Sequence, residues 1–114
     1  MEKTKVYATL IADEKFGWKR IRFSKAASQA FDGYSHCDIS KTEDNKYIIF
    51  TPHREWESNP ALCKLHVDAS GGVVIACKRH VVSGFLKSEW FGKSYRVKKT
   101  KDGKIVICLS EEVG

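Results

Sequence analysis

The feature that most restricts how this chain can fold is a repeat of its own sequence. Lys41-Thr42-Glu43-Asp44-Asn45-Lys46 leads into Tyr47-Ile48-Ile49-Phe50, and Lys99-Thr100-Lys101-Asp102-Gly103-Lys104 leads into Ile105-Val106-Ile107-Cys108, at an offset of 58 residues. Each block sets Asp before Asn or Gly between two β-rich runs, which is turn chemistry that tolerates positive φ. At the same offset, Cys37-Asp38-Ile39-Ser40 matches Tyr95-Arg96-Val97-Lys98. Upstream the offset falls to 54, so that Trp18 to Phe23 faces Gly72 to Cys77 and Ser24 to Phe31 faces Lys78 to Phe85. Four extra residues near Leu86-Lys87-Ser88-Glu89 account for the change, and the end of an element tolerates such an insertion.

Each copy reads as strand, turn, strand, short helix, strand, turn, strand. Val6 to Ile11 is β-rich, and Arg20-Ile21-Arg22-Phe23 alternates polar with apolar as a half-buried strand does. Ser24 is placed to cap a helix through Ala26 to Phe31 that stops at Asp32-Gly33. In the second copy, Ser70-Gly71-Gly72 predicts a hairpin between Leu62–Ala69 and Val73–Arg79, and Val81 to Phe91 is the second helix candidate. A chain of 114 residues holds one core of ordinary size, and half of it would be marginal alone. The expected fold is therefore α+β and β-rich: two fused ββαββ repeats sharing one core, as a small closed barrel. The single domain, 1–114, divides into repeat one (4–51), a linker (52–60) between the two prolines, and repeat two (61–110). A fused pseudo-dimer of this kind is expected to act as a monomer.

The apolar strand Gly72-Val73-Val74-Ile75, the run Ala76 to His80 into a short helix, and the closing Asp-Gly hairpin resemble the swapped-hairpin unit of the SpoVT/AbrB superfamily. Two copies in one chain resemble the tandem MraZ-like arrangement and, more distantly, the double-psi and other cradle-loop barrels. The resemblance covers roughly 15–51 and 70–109. It implies a DNA-binding regulator whose matching basic positions would be Lys19, Arg20 and Arg22 in copy one and Lys78 and Arg79 in copy two.

Charge points the same way. The net charge is +6, and it is uneven: ten Lys/Arg against nine Asp/Glu in 1–57, but ten against five in 58–114. Such a field suits a polyanion. Arg96-Val97-Lys98-Lys99-Thr100-Lys101 adds a basic hairpin, and its lysines favour attraction to a phosphate backbone over base reading. The reading is a small non-enzymatic nucleic-acid-binding protein using Lys19, Arg20, Arg22, Lys78, Arg79, Arg96, Lys98, Lys99 and Lys101. The alternative is a mobile-element or phage-encoded inhibitor or adaptor that binds a host nuclease or other host enzyme, with Trp56 and Trp90 as aromatic anchors.

A third reading is a zinc-stabilised module. Cys63-x-x-His66 and Cys77-x-x-His80 would meet across a hairpin turning at Gly71-Gly72, with Cys63 opposite His80 and His66 opposite Cys77. Residues three apart on a strand face opposite ways, so convergence of all four needs broken strands, and no metal site is assigned. No nucleophile elbow, phosphate-cradling glycine loop or His-Glu-x-x-His is present, so neither catalytic residues nor a cofactor are expected. The first residues lack an apolar leader and no run suits a membrane span, which predicts a cytoplasmic protein with reduced cysteines and no membrane partner.

Overall fold

The computed structural model describes residues 6–13, 18–54, 63–76 and 86–113. Eight strands are formed: β1 (Tyr7–Asp13), β2 (Trp18–Phe23), β3 (His36–Lys41), β4 (Tyr47–His53), β5 (Cys63–Val67), β6 (Val73–Ala76), β7 (Lys93–Lys99) and β8 (Ile105–Val113). They close into an antiparallel barrel in the order β1-β2-β6-β5-β3-β4-β8-β7, β7 returning to β1. Among the described residues, one α-helical turn, α1 (Lys25–Ser28), continues as a 3-10 turn through Phe31, and a second 3-10 turn spans Ser88–Trp90. No described helix is long and apolar enough to cross a membrane.

Alternation along the strands builds the core. Ala8 and Leu10, Ile21 and Phe23, Cys37 and Ile39, Ile48 and Phe50, Val73 and Ile75, Tyr95 and Val97, and Ile105 and Ile107 all turn inward and are buried. Phe31 packs edge-on against Phe23 and Phe50, with centroids 4.8 and 6.5 Å away. Ser24 caps α1 by accepting from the Ala27 amide (3.3 Å), as its position after β2 predicts. Buried Ser28 then joins distant strands: its hydroxyl donates to Ser24 O (2.8 Å) and accepts from the Val73 amide (2.7 Å).

The pairing diagram has an internal dyad. Exchanging β1–β4 with β5–β8 leaves the circular strand order unchanged. Register follows suit. Leu10 faces Ile21 as Leu65 faces Ile75, and Ala8 faces Tyr95 as Cys63 faces Cys37. Asp38 faces Thr51 as Arg96 faces Cys108. The two seams where a strand meets its own counterpart centre on Ile21 with Ile75 and on Ile49 with Val106.

This diagram corrects the constant offset of 58. The offset holds from β3 to β7 but is 57 from β4 to β8, so Ile48 corresponds to Ile105, not Val106. The cause is the turns. The first closes with the Thr42 amide donating to Tyr47 O (3.1 Å), the second with the Thr100 amide donating to Lys104 O (2.8 Å), one residue shorter. A one-residue slip reverses which side chains face the core, and here it keeps Ile48 and Ile105 both inside. Two other expectations shift. β4 runs through Pro52 to His53, so the first residues assigned to the linker are strand. Pro52 lies beyond the register that β4 shares with β8, where its missing N–H costs no bond to that strand. Of the second helix candidate, Val81 to Phe91, residues 81–85 lie outside the described residues, and the remainder holds the 3-10 turn Ser88–Trp90.

Candidate polyanion-binding face

On β2, burial of Ile21 and Phe23 forces Arg20 and Arg22 outward, and both are exposed. On β7, burial of Tyr95 and Val97 does the same for Arg96 and Lys98. These two strands are 70 residues apart in sequence, yet β1 pairs with both. Thr9 stands opposite Arg22 on one side and Ser94 on the other, and Tyr7 stands opposite Arg96. The outer side of β7-β1-β2 is thus one surface, with cations at both margins and Tyr7, Thr9 and Ile11 between. Thr9 and Ser94 hydroxyls share a 2.6 Å hydrogen bond across the β1–β7 seam. Lys25 joins the surface from α1. It lines a groove of about 260 Å³ with Tyr7, Thr9, Arg22 and Ser70.

The cations are oriented by carboxylates. Arg22 Nη2 lies 3.0 Å from Asp68 Oδ2 and donates to Ser70 Oγ at 3.1 Å. Asp68 is itself fixed: its Oδ1 accepts from Ser70 Oγ (2.6 Å), the Ser70 amide (2.9 Å) and the Gly72 amide (3.0 Å). Hydrogen bonds from Ser70 and Gly72, with Arg22 alongside, hold its carboxyl below the ordinary value. At the other margin Glu111 bridges Arg96 (3.4 Å) and Lys98 (3.3 Å). Its position comes from an irregularity in β8, where Arg96 pairs with Cys108 but Tyr95 pairs with Glu112, leaving Leu109, Ser110 and Glu111 out of register. Exposed ion pairs of this kind are worth little to stability, so their consequence is orientation of the side chains.

The remaining expected residues are placed as follows. Lys19 is half-buried at the far end of β2, its Nζ 4.9 Å from the Phe91 ring centroid. Lys99 ends β7 and Lys101 stands at the β7–β8 turn, both exposed; like Lys98 they lie beyond the part of β7 that pairs with β1, and Lys99 falls on the opposite alternation from Arg96 and Lys98. Lys78, Arg79 and Trp56 lie outside the described residues. Trp90 is 8% exposed and belongs to the core, where its carbonyl accepts from Tyr95 Oη (2.9 Å). It is therefore not a surface anchor, because the 3-10 turn before β7 folds it inward. Tyr7, Thr9, Lys25 and Ser70 were not singled out from the sequence. Strand alternation in Val6 to Ile11 identifies the first two as outward, but no charge draws attention to them.

The zinc hairpin does not form as drawn. β5 and β6 pair His66 with Val74, not with Cys77, because the turn closes between Asp68 and Gly72 (Asp68 amide to Gly72 O, 2.9 Å). Cys63 points inward and is buried opposite Cys37, while His66 is exposed. Cys77 and His80 lie outside the described residues. Among the described residues no three His, Cys, Asp or Glu side chains cluster as a metal site would need. Cys108 is fully buried, and that burial, followed by its hydrogen bond to Glu111, pushes its thiol above the ordinary value.

Comparison with known proteins adds no relative: no protein-family model, curated protein or solved structure matches this chain.

Proposed function

We propose that this protein is a non-enzymatic nucleic-acid-binding protein whose β7-β1-β2 face lies against the phosphate backbone. We further read the chain as two fused ββαββ units of SpoVT/AbrB-like type, a reading supported by the dyad in strand order and register. One observation carries the function: two basic strands remote in sequence flank β1, whose residues Tyr7, Thr9 and Ile11 between them are uncharged. Arg20, Arg22, Lys25, Arg96 and Lys98 supply the charge, and Tyr7, 36% exposed, offers a ring for stacking at its centre. Cations and hydroxyls on an outer strand surface suit phosphate contacts, which position a partner without reading its sequence.

The test is fluorescence anisotropy of labelled duplex DNA and single-stranded RNA at increasing salt. Neutralisation of three or four phosphates predicts a log–log slope of about −2.7 to −3.6 on duplex DNA. Absence of binding at low salt, or binding indifferent to salt, contradicts the proposal. The alternative of a host-protein partner draws on a different surface. Tyr47, Ile49 and Val106 form an apolar strip over the β4–β8 seam, beside a groove of about 310 Å³. Capture of a partner that survives nuclease treatment and competes with nothing on the basic face would favour it.

A further inference from the structure

We infer that the chain engages its polyanion through only one of two dyad-related faces, as a one-to-one complex on a target with no need of palindromic symmetry. This rests on the nucleic-acid reading above. Symmetric dimers place two equivalent surfaces on two half-sites, so their targets mirror their own twofold. The pairing diagram here has the same twofold within one chain, and it relates the β7-β1-β2 face to the outer side of β3-β5-β6.

The side chains break that equivalence. Register sets Val74 at the place corresponding to Arg20, Ala76 at that of Arg22, Asp38 at that of Arg96 and Ser40 at that of Lys98. Four cations are matched by three neutral residues and an acid. The central strand shows the reverse: Thr9 corresponds to Lys64 and Ile11 to His66. Lys64, with Asp38 at one margin and Arg54 just past β4, gives two cations against one acid, whereas Arg20, Arg22, Lys25, Arg96 and Lys98 are five against Asp68 and Glu111. Arg79, which the offset of 54 aligns with Lys25, lies outside the described residues. The backbone has kept its twofold while the charge has collected on one side. Three strands span about 10 Å from the first axis to the last, so the contact is one short stretch of backbone and not two half-sites.

The experiment compares two double variants of the full chain with the wild type, using a fluorescein-labelled duplex of about one helical turn. Each protein is first matched to wild type by its thermal melt. Arg20→Ala with Lys98→Ala is expected to lower affinity about tenfold or more and to reduce the salt slope by about 2. Lys64→Ala with His66→Ala, both exposed on β5, is expected to stay within about twofold of wild type with an unchanged slope. Titration well above the Kd should saturate at one duplex per chain. Equal losses from both double variants, or saturation at two duplexes, would overturn the one-face inference while leaving nucleic-acid binding intact. Failure of the wild type to bind any duplex would remove the underlying reading, and the inference with it.

Discussion

At the residue scale, Asp68 links the fold to the proposed interface, since it closes the β5–β6 turn and orients Arg22. Its carboxyl titrates below the ordinary value, chiefly through the bonds from Ser70 and Gly72. A depressed folded-state pKa stabilises the fold above the unfolded value, near 3.9, and that stabilisation is lost as pH falls through the folded value. Asp44 and Asp102, held low first by Thr42 and Thr100, act in the same window. Asp68→Asn should therefore flatten the fall in melting temperature below about pH 4. It should also tighten duplex binding at neutral pH, since a carboxylate leaves the basic face. An unchanged acid limb would contradict the first expectation, and weaker binding would contradict the second. Ser24 as helix cap was legible because its partner lies three residues on. The bond between Ser28 and Val73 was not, because it spans 45 residues and depends on how the barrel closes.

At the scale of elements, strand alternation identified which side chains of β2 and β7 face outward, and the Asp-Asn and Asp-Gly pairs marked the turns. Asn45 (φ 60°) and Gly103 (φ 87°) indeed take the left-handed conformation those turns require. Register was hidden, because the two turns differ by one residue and the lettering around them does not reveal which hydrogen bond closes each. The irregularity that carries Glu111 was hidden for the same reason: it becomes visible only against its pairing partner. Gly72 shows how tightly β6 is set against β2. A Cβ there would sit 2.8 Å from the Phe23 carbonyl oxygen, a backbone atom that cannot swing aside. Gly72→Ala should cost about 1–3 kcal/mol in chemical denaturation, by forcing the two strands apart. Wild-type stability in that variant would mean the approach is looser than described.

At the scale of the molecule, four seams join the two halves: β1–β7, β2–β6, β3–β5 and β4–β8. Neither half can complete a sheet without the other, so closure is a property of the whole chain and the interface is a product of that closure. The sequence placed Arg20 and Arg22 in one basic group and Arg96 and Lys98 in another. Only the strand order puts β1 between them and turns two groups into one surface. The measurement that tests this most directly is a ¹⁵N–¹H correlation spectrum of the intact protein titrated with a short duplex. Amide shifts should concentrate on Thr9, Ile11, Arg20, Arg22, Ser94 and Lys98, with Asp38, Ser40 and Lys64 undisturbed. Shifts centred on β3-β5-β6, or on the strip around Ile49 and Val106, would contradict it.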